Sequence, residues 1–134
     1  MWGLNIGLVA HNSKKELMRH FCIAYKNILA KHTLFATGTT GQCIEDATNL
    51  FVNKFLPGQM GGNRQMGAQI ENNQIDAVIF LCDPERQRNN EMDYLRICQL
   101  CDLCNIPLAT NIATAEILIK AIERGYLDWR NIYK

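Results

Sequence analysis

The residues best suited to chemistry are Thr37, Gly38, Thr39, Thr40 and Gly41. Three hydroxyls and two glycines follow a short apolar run and precede a segment with helical spacing. This is how a chain builds an anion site where a strand hands over to a helix. Glycines let the backbone approach the anion, helix-start amides point at it, and the helix dipole favours negative charge. Thr/Gly turns also cap helices with nothing bound, so the stretch alone leaves both readings open.

The elements around it alternate strand and helix signals. Residues 4–10 form an apolar run around Gly7, as in a strand buried on both faces. Ser13 stands three residues before Glu16, a capping box, and Leu17, Phe21, Ala24, Tyr25 and Ile28 recur at helical spacing. Strands are expected over 33–37, 51–56, 75–82 and 107–110, and helices over 41–50, 65–72, 91–104 and 112–124. Five strands separated by helices predict an α/β fold, a parallel sheet with helices on both faces, and one domain over 1–134. Ligands of such sheets bind beyond the carboxyl ends of the strands. Here those ends carry His11 and Asn12, Thr37 to Gly41, Gly58 to Asn63, Asp83, and Thr110 with Asn111. One crevice could collect all five. The three-glycine dinucleotide fingerprint and the Gly-Lys-Ser/Thr phosphate loop are both missing.

Composition narrows the class. With 134 residues, 48% hydrophobic and 20% charged, the chain reads as an ordinary globule with a core of its own. A net charge of +1 with no basic run argues against a nucleic-acid polymer as partner. No apolar run reaches the length of a membrane span and residues 1–10 lack a leader pattern, so a cytoplasmic protein is expected. Of six cysteines, Cys98, Cys101 and Cys104 could hold an iron–sulfur cluster, but the continuation to a fourth cysteine before proline is absent. On a helix they share a stripe and read as small buried hydrophobes in a reducing compartment, with no metal.

Taken together, Ala-His-Asn at 10–12, Leu-Phe-Ala-Thr-Gly-Thr-Thr-Gly at 34–41, Gly-Gln-Met-Gly-Gly-Asn at 58–63, Cys-Asp-Pro at 82–84 and Ile-Pro-Leu-Ala-Thr-Asn at 106–111 resemble methylglyoxal synthase. The resemblance runs over about residues 4–130. It implies a flavodoxin-like three-layer sandwich, a homohexamer, and elimination of phosphate from dihydroxyacetone phosphate with no metal or organic cofactor. It assigns the substrate phosphate to Lys15, Thr37, Thr39, Thr40 and Gly58. His11 matches the family's first-strand histidine, and Asp83 its Asp-Pro aspartate. Arg130 matches an arginine that reaches a neighbouring subunit's phosphate site, and a surface arginine is the plain alternative. Trp129 and Tyr133 flank it in a polar terminal segment suited to docking on that neighbour.

The departures from the family pattern set the functional expectation. The carboxylate that abstracts the carbon-bound proton is replaced by Asn63, and an amide cannot accept that proton. The family's electrophilic histidine aligns with Asn90, and the aspartate three residues on is Asp93. Family aspartate becomes Asn12, and the serine before Gly58 becomes Pro57. Arg64, Arg86 and Arg88 appear where the family usually carries uncharged side chains. These changes make the pocket more electropositive and predict a non-catalytic relative. It would bind a phosphorylated small molecule, of nucleotide or cyclic-nucleotide type, through the cradle with Asn63, Arg64, Asn90 and Arg130. The alternative is an active methylglyoxal synthase in which Asp83 or Asp93 is the base and His11 polarises the carbonyl.

Overall fold

A computed structural model describes residues 3–85 and 91–132 of the chain. Five strands form one sheet: β1 (Asn5–Ala10), β2 (Thr33–Ala36), β3 (Asn53–Lys54), β4 (Ala77–Leu81) and β5 (Leu108–Ala109). Their order is β3-β2-β1-β4-β5, and every pairing is parallel. Winding runs outward from β1 through β2 to β3, then resumes on its other side with β4 and β5, so the topological switch falls between β1 and β4. This is the expected flavodoxin-like α/β sandwich.

The helices are α1 (Lys15–Ala24), the short α2 (Lys26–Leu29), α3 (Gly38–Thr48), α4 (Gly62–Glu71) and α5 (Glu91–Cys104) between the strands, and α6 (Ile112–Glu123) after β5. Side chains alternate across each strand. Ile6, Leu8 and Ala10 of β1 and Ala77, Ile79 and Leu81 of β4 enter one core with Met18, Phe21 and Cys22 of α1, Ile44 of α3 and Leu118, Ile119 and Ile122 of α6. Val9, Val78 and Phe80 face the other layer, with Met66 and Ile70 of α4 and Ile97, Leu100 and Cys101 of α5. Both faces of β1 and β4 are therefore covered, which is why these strands read as unbroken apolar runs. Gly7 belongs to the second face. A Cβ there would stand 2.8 Å from the Met66 sulfur, so the missing side chain is the space that Met66 fills. Cys101 lies in this core, and burial pushes its thiol up to about 12, which leaves it an inert hydrophobe.

Several boundaries differ from expectation. Two residues of the expected 51–56 strand form the ladder, because β3 is the sheet edge, with Asn53 and Lys54 in register with Phe35 and Ala36 of β2. The helix expected at 41–50 starts at Gly38, and that expected at 65–72 starts at Gly62. In both, the glycine- and threonine-rich start that resembles a loop is the first helical turn. The capping box at Ser13 and Glu16 does not form. Residues Asn12–Lys14 make a 3₁₀ turn, Ser13 Oγ donates to Asp83 Oδ2 at 2.7 Å, and Glu16 takes Arg19 and His20. Among the described residues, no helix is long and apolar enough to cross a membrane.

Candidate functional site

A cleft of about 200 Å³ opens at the carboxyl ends of the strands, lined by residues following β1, β2 and β3 and by Phe80 of β4. Thr37 caps α3 in extended conformation (φ −66°, ψ 153°), and Gly41 N–H donates to its carbonyl at 2.7 Å. Gly38 N–H is taken by the Leu56 carbonyl at 3.1 Å. Helix geometry leaves the Thr39 and Thr40 amides with no acceptor inside α3, so they and the Thr39 hydroxyl are donors for an anion, and the Thr37 hydroxyl becomes one by turning from its long contact with Thr40 Oγ1. Gly38 is required here, because a Cβ would lie 2.9 Å from the Phe55 carbonyl oxygen. Gly62 is required at the opposite wall, where a Cβ would collide with the Leu56 carbonyl.

Across the cleft, Lys15 is the first residue of α1. Its Nζ donates to the Ala10 carbonyl at 2.9 Å and to Asn12 Oδ1 at 3.0 Å. A cation at a helix start is unfavourable by itself and becomes favourable when an anion lies between it and the neighbouring amides. Among the described residues that line the cleft, Lys15 carries the positive charge.

His11 follows β1 directly, anchored by its N–H to the Leu81 carbonyl at 3.1 Å. Its ring meets Phe80 edge-on, with centroids 5.2 Å apart, and lies 6.4 Å from the Tyr94 ring. The Asp83 backbone N–H donates to His11 Nδ1 at 2.8 Å. A nitrogen that accepts is unprotonated, so the neutral ring carries its proton on Nε2 and acts as a donor there. Burial, followed by a hydrogen bond with Cys98, pushes the Tyr94 phenol up and keeps it protonated behind this ring.

The structure thus brings His11, Lys15, Thr37, Thr39, Gly58 and Asn63 to one cleft. Thr40 is placed differently from expectation. Its side chain is fully buried and its hydroxyl accepts from Thr37 Oγ1 at 3.4 Å, so only its amide can serve a phosphate. Asp83 is not a free base. Oδ2 accepts from Ser13 and Oδ1 from Glu85 N–H, and these two bonds hold its carboxyl below the ordinary aspartate range. Its contribution is the backbone amide that fixes His11. Asp93 and Arg64 line an adjoining cavity of about 180 Å³ that shares Asn63 with the cleft, and Arg64 Nε lies 4.0 Å from Asp93 Oδ1. Arg64 is 86% exposed and does not line the cleft itself. Arg86, Arg88, Asn90 and Tyr133 lie outside the described residues.

Arg130, expected at a neighbour's phosphate site, is engaged within its own chain. It is 5% exposed within its own chain, its Nε donating to Asp76 Oδ1 at 3.1 Å and its other nitrogens to Asn73 Oδ1, the Asn105 carbonyl and the Ile75 carbonyl. Asp76 enters β4, so this cluster sits at the amino ends of the strands, opposite the cleft. The terminal segment is folded onto its own subunit by a buried charge pair. Sequence reasoning also missed the partners of Asn12 and Ser13, placing the first only at a strand end and the second only in a helix cap. The i, i+3 spacing of Asn12 and Lys15 was the available signal for the first, while the Ser13–Asp83 bond spans 70 residues and had none.

A threonine- and glycine-rich helix start, a lysine and a tautomer-fixed imidazole, delivered together at the carboxyl edge of a parallel sheet, define an α/β protein with a polar cleft suited to an anion. Residues 19–110 match the MGS-like domain. The chain is 60% identical over 129 residues to methylglyoxal synthase of Caldicellulosiruptor saccharolyticus, covering 96% of this chain and 92% of the relative. It is 54% identical over 134 residues to that of Thermoanaerobacterium thermosaccharolyticum, covering all of both chains. The crystal structure of methylglyoxal synthase from Elizabethkingia anophelis superposes with a TM-score of 0.82 at 37% identity, covering 87% of this chain and 77% of that one. The chain belongs to the methylglyoxal synthase family.

These relatives overturn the expectation of a non-catalytic binder of nucleotide-type ligands. At 60% and 54% identity over nearly the full chain, proteins named methylglyoxal synthase support the enzymatic alternative. The expectation gave decisive weight to the departures at Asn63, Asn90, Asn12 and Pro57 and to the added arginines, although the threonine and lysine wall and the fixed imidazole persist and a second carboxylate, Asp93, adjoins the same wall.

Proposed function

We propose that the chain is a phosphate-eliminating lyase that converts dihydroxyacetone phosphate to methylglyoxal. Lys15, the Thr37 and Thr39 hydroxyls and the amides at the start of α3 hold the phosphate. His11 donates from Nε2 to the ketone oxygen and stabilises the charge that develops there. Asp93 takes a proton from the hydroxymethyl carbon. Its carboxylate has a single long contact with Arg64 among the described residues, and its cavity shares Asn63 with the cleft. Catalytic contacts commonly tighten only once substrate is bound.

The steps balance without water. Loss of the proton gives an enediolate, whose electron pair expels phosphate from the neighbouring carbon. The resulting enol regains a proton at carbon and becomes methylglyoxal. The Thr/Lys cradle also favours this route, because it stabilises the departing dianion.

The observation that carries the reading is the 2.8 Å bond from Asp83 N–H to His11 Nδ1, which commits the ring to donation in a cleft that also holds a phosphate cradle. Purified protein incubated with dihydroxyacetone phosphate should release methylglyoxal and phosphate in equal amounts, at about 1 per second or faster. Phosphate accompanied by dihydroxyacetone would show hydrolysis and refute the reading.

A further inference from the structure

Asn63 is the feature that the mechanism above leaves unused. It is the second residue of α4, 6% exposed, and it lines both the cleft and the cavity that holds Asp93. Its amide lies on Gly58, where a Cβ would stand 3.3 Å from Oδ1 and 3.5 Å from Nδ2. Oδ1 is shut off from bulk water and accepts no hydrogen bond among the described residues. A buried acceptor without a donor is costly, and a site that tolerates one in the free protein has a donor to gain from a ligand.

We infer that Asn63 Oδ1 accepts a hydrogen bond from the free hydroxyl of the substrate, and so selects a hydroxymethyl ketone over a plain methyl ketone. The inference rests on the lyase reading, and elimination leads to it. The phosphate is matched by Lys15, Thr37, Thr39 and the α3 amides, and the ketone oxygen by His11 Nε2–H. What remains on a three-carbon phosphorylated ketone is one hydroxyl, a donor, and the cleft wall offers it Asn63 Oδ1, a buried acceptor without a donor among the described residues. The outer torsion of an asparagine side chain is soft, so a small rotation presents Oδ1 to that hydroxyl. Asn63 is shared with the cavity of Asp93, so the contact also turns the hydroxymethyl carbon, which must lose its proton, toward Asp93. Gly58 keeps the room for this, since any side chain there would press on the amide.

The test uses two ligands that cannot react because they lack the ketone, glycerol 3-phosphate and propane-1,2-diol 1-phosphate, which differ by the terminal hydroxyl. Calorimetry should give wild-type protein an affinity about fivefold higher for glycerol 3-phosphate. Asn63→Leu should abolish that preference while leaving the affinity for the deoxy compound unchanged. Asn63→Asp should keep the preference, because a carboxylate still accepts, even though its charge weakens both ligands. Absence of preference in the wild type, its persistence in Asn63→Leu or its loss in Asn63→Asp would each overturn the inference. These outcomes are separate from the lyase reading, which fails instead if dihydroxyacetone phosphate binds with the same hydroxyl dependence but is not converted.

Discussion

Replacing Lys15 with methionine separates binding from folding in a way the geometry allows to be estimated. The ammonium is held at the cleft by the Ala10 carbonyl and Asn12 Oδ1, at 2.9 and 3.0 Å. Facing a phosphate oxygen at roughly 4 Å with an effective dielectric of about 20, one unit charge is worth about 4 kcal/mol. The ammonium gives up part of its existing solvation and hydrogen bonding to reach the ligand, so about 2–3 kcal/mol should be lost, or roughly thirty- to a hundred-and-fiftyfold in kcat/KM. Most of it should appear in KM, because the phosphate is bound alike in ground and transition states. Stability should behave differently. Removing a cation from the first turn of α1 relieves about 0.3–1 kcal/mol, while losing the bond to the Ala10 carbonyl costs about 0.5–1.5 kcal/mol. The two nearly cancel. Steady-state kinetics and urea unfolding of Lys15→Met read the two effects independently. A kcat/KM within about threefold of wild type would refute the placement of the phosphate, and a stability loss above about 2 kcal/mol would show that Lys15 is chiefly structural.

Three further outcomes follow from the same structure. Asp93→Asn should lower kcat at least about a hundredfold while glycerol 3-phosphate still binds as in the wild type, measured by kinetics and calorimetry; unchanged kcat would remove Asp93 as the base. Asp83→Asn should retain turnover, since the bond to His11 comes from the backbone. The Ser13 hydroxyl and then the Glu85 amide hold the Asp83 carboxyl below its ordinary range, so its stabilising effect is present above that range and lost as pH falls through the lowered folded value. In denaturant titrations the wild-type advantage over Asp83→Asn should therefore be full at neutral pH and vanish in acid, and an advantage that grows on acidification would contradict the assignment. Arg130→Met should cost about 3–5 kcal/mol by removing the guanidinium from the buried Asp76 carboxylate, and adding Asp76→Asn should recover part of it; a stability change below about 1 kcal/mol would refute the buried pair.

What the sequence disclosed and what it hid divide along physical lines. The runs at β1 and β4 were legible because both faces are buried, and α5 was legible because Ile97, Leu100 and Cys101 recur on its inner side. The starts of α3 and α4 were not, since Gly38, Thr39, Gly62 and Asn63 have poor helix propensity and are helical because the sheet edge and the Leu56 carbonyl hold them there. Of the residues that line the cleft, the Thr37 stretch and His11 were recoverable from residue type and position, and Lys15 from the family resemblance. The role of Asp83 was not, because its working group is a backbone amide and its side chain is engaged by Ser13 across 70 positions. The partners of Arg130 were hidden for a related reason: Asp76, Asn73 and Asn105 lie 54, 57 and 25 positions from it and meet it at the amino edge of the sheet. Asn63 misled in the opposite direction, as it and the other departures from the family pattern were given more weight than the surrounding geometry.

The most direct test of the account supplies dihydroxyacetone phosphate carrying two deuterium atoms on its hydroxymethyl carbon, in ordinary water, and locates the label in the product. Removal of one deuteron there, followed by phosphate loss and reprotonation of the enol, predicts methylglyoxal with deuterium on the aldehyde carbon and only hydrogen on the methyl carbon. Methylglyoxal with an unlabelled aldehyde, or recovery of the doubly labelled substrate unconverted, would contradict it.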